Sequence, residues 1–471
     1  MDRLIPVGKI APKSALEVKS SQLGIGFEKL DRNVFDPEKA YDKVAALGVK
    51  WVRLQSGWQR TEREKGVYDF AWLDDIVDNL IRRGMVPWIC LCYGNDLYTE
   101  AAKTFFGAVG CPPIFTEEER TAWHNYVKAT TEHFKGRVEY YEVWNEPDGR
   151  GCWKHGVNAQ EYGEFAAATA KAAREGDESA KIIGGVTCTC TWSLPFISDA
   201  LAAGMGGAVD AVSYHRYTPD EFYTQRDARA LRALCDLYNP DIELIQGESG
   251  TQSSSKGAGA MRGGAWTPWK QAKYLLRHRI TDFQCGLKFT SHFTAVDMIE
   301  ALNGTVGDKQ SYLDYGYFGV LNADFDENGF ATGDYSPKPA YYALQNLASV
   351  FAEDFKAADL PIMFQPNKSP RIFDSDFKGK SLMWAGFKRD NGAAAFAYWN
   401  SADLMTTDFE STVTLDLCSM KGDVRLIDLM DGTVYALPES IVEKVGQTTI
   451  RLKNIPIKDY PLLLTIGDFA Q

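Results

Sequence analysis

Eight times between residues 21 and 351 a short apolar run gives way to an amphipathic stretch, and the long connections all follow the apolar runs. The predicted strands are Leu23–Phe27, Trp51–Leu54, Val86–Cys92, the run from Val138 to Trp144, Lys181–Val186, Ala211–Tyr214, Glu243–Gln246 and Lys288–Phe293. Helix signals separate them. Asp36-Pro37 offers an N-cap and an N1 proline, and Gly48 and Gly84 are stops. Thr116 to Glu119 and Asn158 to Glu161 read as capping boxes. Later helices are placed near Pro195–Ala203, Arg226–Tyr238, Thr267–Phe283 and Lys338–Phe351. Strict alternation of this kind predicts a parallel (β/α)8 barrel, a TIM barrel of α/β class, rather than an open sheet. The long connections Tyr93–Phe115, Ser249–Trp266 and Thr294–Pro337 would then build one face. Ser249–Ala265 is rich in serine and glycine, which predicts mobility.

After Phe351 the alternation stops. Ser381–Phe387, Ala393–Trp399, Ser411–Leu417, Val424–Leu429, Thr433–Leu437, Thr448–Leu452 and Leu462–Ile466 read as strands without helices between them, and Asn391-Gly392 and Asp431-Gly432 are hairpin signals. The expected organisation is a barrel over 21–351 and a C-terminal β-sandwich over 352–471, with residues 1–20 as a candidate completing piece. The 471-residue length suits a barrel of ~250 residues or more plus a smaller module.

Bulk properties narrow the function. With 51 basic against 63 acidic side chains the net charge is −12, so the surface repels phosphate backbones and nucleic acid is not an expected partner. No apolar run approaches the ~18 residues of a membrane span. Nine cysteines without framework spacing suggest a reducing, cytoplasmic setting. The six histidines form no His-x-His or His-Glu-x-x-His, Cys188-Thr-Cys190 lacks a second pair at zinc spacing, and no phosphate-binding Gly-Lys-Ser/Thr loop occurs. Neither a metal nor another cofactor is expected.

The fourth predicted strand ends abruptly at Trp144-Asn145-Glu146-Pro147, where the proline cannot donate to a ladder. The seventh ends likewise, at Gly247-Glu248-Ser249. In a parallel barrel these ends lie on the rim where side chains converge on substrate. A lone glutamate at a strand end reads as a solvated carboxylate. Two on one rim can share the work of breaking a glycosidic bond, one protonating the leaving oxygen and the other attacking or positioning water. The acid must keep its proton near neutral pH, which requires desolvation or a neighbouring carboxylate. Trp144 and Pro147 are placed to dry the wall beside Glu146.

These two motifs resemble those of clan A glycoside hydrolases, and the resemblance covers the barrel from about Leu23 to Phe351. The trailing β-region is similar to that of family 39, the β-xylosidases and α-L-iduronidases. The resemblance implies Glu146 as general acid/base and Glu248 as nucleophile of a retaining double displacement, with Asn145 binding the sugar 2-hydroxyl. It also implies that Arg53 stands beside the nucleophile and that Tyr217, in His215-Arg216-Tyr217, donates to it. An ordinary surface arginine and a core histidine are the alternative readings of Arg53 and His215. Two segments depart from the family: Ser291-His292-Phe293 replaces the usual strand-eight tryptophan, and Gln55-Ser56-Gly57-Trp58 replaces a histidine-containing segment. His292 is retained as a candidate substrate contact.

Trp58, Trp153, Trp266 and Trp269 fall on the loop face, where rings can stack on the apolar faces of pyranoses or simply anchor loops. The expected function is a retaining exo-glycosidase with a carbohydrate substrate, of the β-xylosidase, β-glucosidase or β-galactosidase type. Exo action rests on the long loops. No residue identifies the sugar, and arginines such as Arg216 and Arg262 leave a uronic acid open. A transglycosylase would use the same residues. A silent carbohydrate-binding barrel would have lost one carboxylate, and both are present. The sequence is silent on oligomeric state.

Overall fold

The computed structural model describes residues 1–104, 107–300, 314–365, 382–401 and 403–470. Eight parallel strands close into a barrel: β1 (Leu23–Gly26), β2 (Trp51–Gln55), β3 (Val86–Leu91), β4 (Tyr140–Val143), β5 (Lys181–Thr187), β6 (Ala211–His215), β7 (Glu243–Ser249) and β8 (Thr290–His292). Neighbours pair in sequence order, and β8 returns to β1. Helices α1 (Tyr41–Ala46), α2 (Ala71–Arg82), α3 (Glu117–His133), α4 (Ala159–Gly176), α5 (Cys190–Ala202), α6 (Thr224–Asp236), α7 (Pro268–Asp282) and α8 (Pro339–Val350) follow the strands in turn. The (β/α)8 barrel expected from the alternation is therefore present.

Local chemistry sets most of the boundaries. Thr116 accepts from the Glu119 amide at 3.2 Å and Glu119 accepts from the Thr116 amide at 3.1 Å, a reciprocal cap on α3. At α4 only half of the expected box forms. Asn158 accepts from the Glu161 amide at 3.1 Å, but the Glu161 carboxylate takes Trp153 Nε1 at 2.8 Å and His155 Nε2 at 2.6 Å instead. Asp36-Pro37 opens a 3-10 turn, Pro37–Lys39, before α1 starts at Tyr41. α5 begins before Pro195 and carries it inside, since one missing N–H costs a single bond when the rest of the helix is packed.

Inside the barrel, side chains alternate in and out with period two. At the N-terminal end Trp88, Tyr140, Ile183, Ala211, Ile245 and Phe289 form one buried apolar layer, with Trp51 against it. Trp51 stacks on Phe289 at 4.4 Å between ring centroids. Two residues further along the same strands, the inward positions become Arg53, Glu142 and Ser213. The barrel is thus closed by rings below and by charge above.

The remaining sheets are antiparallel. Seven strands run in the order Ile5–Lys9, Thr433–Ala436, Val424–Asp428, Leu462–Ile466, Ala394–Trp399, Met383–Lys388 and Lys356–Ala357. Four more run Ile362–Gln365, Ser411–Cys418, Thr449–Ile457 and Val442–Val445. Ser381, with which one predicted strand begins, and residues 301–313 of the connection after β8 lie outside the described residues. The turns at Asn391-Gly392 and Asp431-Gly432 join paired strands, and both glycines take left-handed φ values of 87° and 75°.

These sheets cover α7 and explain why it is buried on its outer side too. Lys273 Nζ meets Asp459 at 2.8 Å, and Arg277 holds Glu221 through Nε and Nη2 at 2.8 and 2.9 Å while Trp399 Nε1 donates to the same carboxylate at 2.8 Å. Among the described residues no helix is long and apolar enough to cross a membrane.

Candidate active site

The C-terminal ends of β2, β4, β6 and β7 bring Arg53, Asn145, Glu146, His215 and Glu248 together. Glu146 follows β4, where both Trp144 and Glu146 adopt left-handed backbone, at φ 68° and 49°. For residues with side chains this conformation costs ~1–3 kcal/mol each. The Glu146 amide is held by Val186 O at 2.8 Å, so neighbouring β5 braces the turn. Glu248 is aimed by a different device. Ile245 and Gly247 face inward, so an unbroken strand would turn Glu248 outward. Instead the β6–β7 register shifts between Gln246 and Glu248, which sets Glu248 opposite His215. A bulge of this kind re-aims a side chain, and glycine at 247 leaves the room: a Cβ there would collide with Ser213 Oγ.

The two carboxylates are held differently. Glu248 Oε2 accepts from Arg53 Nη1 at 2.6 Å and Glu248 Oε1 accepts from Tyr217 Oη at 2.5 Å. Glu146 Oε1 is 2.8 Å from His215 Nδ1, and the same nitrogen stands 3.7 Å from Glu248 Oε2. One oxygen of each carboxylate and one His215 nitrogen lie within 4.8 Å of one another. That triad has the donor types of a metal site. Its oxygens, however, already receive Arg53, Tyr217 and His215, and the Arg53 cation at 2.6 Å repels a second positive charge.

Arg53 is the hub. Fully buried, it also donates from Nε to Glu142 Oε2 at 2.8 Å and from Nη2 to Asn145 Oδ1 at 2.9 Å. Burial raises the Glu248 pKa, but His215, Arg53 and the Tyr217 hydroxyl outweigh it and hold the carboxyl below its usual range. Burial pulls His215 down, and the charges of Glu248 and Glu146 push it up further, so it ends raised. The Tyr217 phenol, buried beside Glu248, is pushed well above its ordinary value and stays a donor. An ionised Glu248 between a cation and a phenol is equipped to attack.

A cavity of about 300 Å³ opens over these groups. Its walls include Asn145, Glu146, Tyr217 and Glu248, with Tyr93, Phe293 and Phe318 as the aromatic surfaces. The loop after β7 contributes Gly259, Ala260 and Arg262; the connection after β8 contributes Glu300, Asp314 and Phe318. The Ser/Gly-rich loop is tied down at several points: Gln252 Oε1 accepts from the Tyr317 amide at 2.9 Å, and the Ala258 amide donates to Tyr315 O at 2.9 Å.

Not every candidate reaches this cavity. Trp58 is fully buried, stacked between Tyr98 and Tyr126 at 5.4 and 5.5 Å, with Nε1 donating to Glu62 at 2.5 Å. Trp153 is equally buried among Trp144, Tyr162 and Phe165. Both anchor loops, because each indole N–H finds an acceptor inside its aromatic cluster. Trp266 is half-buried, donates to Met261 O at 2.8 Å and packs on the cluster containing Phe293 and Phe318, one layer behind the wall. His292 shares the outward face of β8 with Thr290, whose hydroxyl meets Asp282 of α7 at 2.6 Å. Burial, then the Arg279 charge, press its pKa down to about 3, the state of a neutral core histidine. Arg216, considered for a uronate, instead holds Asp227 at 2.5 Å.

Other residues of the site and its walls carry no catalytic motif in the sequence. Glu142 was legible as the odd charge inside an apolar strand, on the same inward face as Tyr140. Glu28 lies two residues past β1, a rim position that its sequence context, Gly26-Phe27-Glu28, does not mark. Burial raises its pKa to about 7 against the Arg53 charge, with Glu248 adding to the rise. Lys29, Gln55, Tyr93 and Glu300 carry no motif at all. Phe293 occupies the strand-eight rim where the resemblance implied a tryptophan.

Residues 38–231 match the model of glycosyl hydrolases family 39. Two β-xylosidases are similar in sequence: that of Caldicellulosiruptor saccharolyticus is 26% identical over 191 residues, 37% of this chain and 38% of that enzyme. That of Geobacillus stearothermophilus is 30% identical over 165 residues, 33% of this chain and 31% of that enzyme. The matched stretches thus span 38% and 31% of these relatives. A monomeric β-xylosidase from Caulobacter crescentus CB15 shares the fold with a TM-score of 0.60 at 18% identity, over 98% of both chains. A family 39 enzyme from Xanthomonas axonopodis pv. citri does so with a TM-score of 0.60 at 17% identity, over 98% of this chain and 95% of that one. Over residues 38–231, which run from α1 through β6 and include Glu146 and His215, the chain is similar to the glycosyl hydrolases of family 39.

Proposed function

We propose that the protein is a retaining glycosidase that removes a terminal sugar, with β-xylosides as its first candidate substrates. One observation carries the reading: two glutamates on the barrel rim approach to within 4.8 Å, oxygen to oxygen, one clamped by Arg53 and Tyr217 and the other paired with His215. A retaining mechanism calls for carboxyl groups about 5–5.5 Å apart, and an inverting one for ~6.5–9.5 Å. The sequence similarity to β-xylosidases supports the choice of sugar.

In this reading Glu248 attacks the anomeric carbon while Glu146 gives its proton to the departing glycosidic oxygen. The glycosyl ester on Glu248 is then attacked by a water whose proton returns to Glu146. Arg53 and Tyr217 keep Glu248 ionised and oriented, and Asn145, which accepts from Arg53 through Oδ1 and donates from Nδ2 to Cys152 Sγ at 3.7 Å, lines the cavity beside them. The loops after β7 and β8, which line the cavity together, support exo action. The reading takes 21–351 as the catalytic barrel and 352–471 as a β-domain. Pairing of Ile5–Lys9 with Thr433–Ala436 supports counting residues 1–20 with the latter.

A panel of 4-nitrophenyl glycosides, with the anomeric configuration of the first-formed sugar followed by NMR, tests the reading. Release of a β-sugar from a β-xyloside is expected. An α-sugar as first product would exclude retention, and no turnover of any glycoside would exclude the activity.

A further inference from the structure

The connection after β6 carries Tyr217, whose hydroxyl donates to Glu248, and beyond that residue it is mostly exposed or half-buried. From Tyr217 to Tyr223 the one buried side chain is Glu221, an acid. The two rings that follow it, Phe222 and Tyr223, are 38% and 45% exposed. Glu221 itself is 0% exposed, and its carboxylate is gripped from two other parts of the molecule. Arg277 of α7 donates Nε and Nη2 to its two oxygens at 2.8 and 2.9 Å, and Trp399 of the seven-stranded sheet donates Nε1 at 2.8 Å. Arg277 Nη2 also donates to Ser401 O at 2.9 Å, just beyond Trp399. Further along the same stretch Leu404 packs on the cluster of Met261, Tyr274, Phe293 and Phe318, and Tyr217 packs on that cluster too. The antiparallel sheet thus reaches both the connection after β6 and the aromatic wall of the cavity.

A buried carboxylate is costly to desolvate, so it stays where its donors stand. A displacement of Glu221 is carried to Tyr217 through a short stretch of chain, and the hydrogen bond that Tyr217 makes weakens steeply with distance and angle. We propose that Glu221 is a positioning residue for Glu248: held by Arg277 and Trp399, it sets the connection after β6 so that the Tyr217 hydroxyl stays on the Glu248 carboxylate. The proposal rests on the glycosidase reading for the role of Glu248 and deepens it. Tyr217 is not alone in acting on that carboxyl. Arg53, His215 and Lys29 also draw its pKa down, and Glu28, Glu146, Glu300 and the Cys152 thiol face it as well. None of these is a hydrogen-bond partner of Glu221 among the described residues, so a change at Glu221 reaches Glu248 by way of Tyr217.

The test compares wild type with Glu221→Gln and Trp399→Phe on 4-nitrophenyl β-xyloside, with kcat and KM taken separately across pH and folding checked by thermal melts. Trp399→Phe keeps a ring in the sheet and deletes the N–H; it serves where Glu221→Gln, which takes from Arg277 the carboxylate it holds, fails to fold. Arg451→Gln breaks the Arg451–Asp416 pair, 2.7 Å, in the four-stranded sheet and controls for a general loss of stability. Both Glu221→Gln and Trp399→Phe should move the acid limb of kcat/KM to higher pH by up to about one pH unit, the scale of one hydrogen bond to a charged group. KM on the plateau should hold, because neither side chain lines the cavity. Arg451→Gln should leave the limb in place. In a Tyr217→Phe background Glu221→Gln should add no further shift, since the donor it positions is gone. A limb that stays in place or falls to lower pH in the folded variants, moves equally in Arg451→Gln, or moves further in the double variant would overturn the proposal. Should no glycoside be turned over, NMR titration of isotope-labelled glutamate carboxyls, with the Glu248 signal identified by its absence in Glu248→Gln, makes the same comparison. A Glu248 midpoint raised by Glu221→Gln or Trp399→Phe keeps the positioning role while the catalytic assignment falls. A midpoint that neither variant raises overturns the proposal.

Discussion

The two ends of the barrel interior are built from the same strands in the same alternation and have opposite chemistry. At the bottom, Trp51, Trp88, Tyr140 and Phe289 fill the space with rings. One or two residue pairs higher, on β2, β4, β6 and β7, Arg53, Glu142, His215 and Glu248 fill it with charge, held by hydrogen bonds of 2.5–2.9 Å to one another, to Asn145, to Tyr217 and to Glu146. Burial of apolar surface stabilises the lower layer without directionality. The upper layer is expensive to desolvate, and the pairing of its charges offsets part of that cost. Fold stability and chemistry are thus separated along each strand by a few ångströms.

Substitutions that respect this division should act on one property and spare the other. The largest effect is expected for Glu248→Ala, which removes the proposed nucleophile: kcat should fall by roughly 10⁴-fold or more on every leaving group, and added azide should yield the glycosyl azide of inverted configuration. Stopped assays with activated and unactivated aryl glycosides measure it. Glu146→Ala should cost ~10²–10⁴-fold on poor leaving groups and much less on activated phenols, since those depart without a proton. With azide it should give the retained product. Equal loss on both kinds of glycoside would reverse the roles of the two glutamates.

At the lower layer the expectation inverts. Trp88→Ala opens a hole against Phe289 and should cost about 3–5 kcal/mol of stability, read as a lower midpoint in denaturant. The kcat of the remaining folded enzyme should hold. A large fall in kcat with little loss of stability would erase the distinction between the layers.

The smallest effect is a shift in pH. Glu248 must be ionised to attack, and its pKa is held down in part by the Tyr217 hydroxyl. Tyr217→Phe removes that donor, so the pKa of Glu248 rises and the acid limb of kcat/KM moves to higher pH. Loss of one hydrogen bond to a charged group corresponds to about one pH unit. A limb that stays in place, or moves to lower pH, would show that the hydroxyl does not stabilise the ionised form.

The barrel was legible because its signal is redundant: eight strands, eight helices, and long connections on one side only. Glu146 and Glu248 were legible as rim positions because proline and glycine mark where their strands stop. The tryptophans misled for a physical reason. A ring in a loop of the active face has two ways to be buried, against a ligand or against the protein, and composition cannot tell them apart. Trp58 and Trp153 took the second because Glu62 and Glu161 were there to receive their N–H groups.

What the sequence determined alone was period, order and type: which residues alternate inward, which strands carry carboxylates at their ends, and that strands follow one another without helices among the described residues after Phe351. Tertiary structure decided direction and company. The bulge at Gly247 turned Glu248 inward from a position that alternation would have pointed outward. Closure of the barrel brought Arg53 from β2 against Glu248 from β7. It also left Glu28, from the end of β1, as a buried carboxylate with an oxygen still to be paired. Those contacts join residues far apart in the chain. Their energy depends on desolvation and geometry that arise only when the barrel is closed, so no local pattern could encode them.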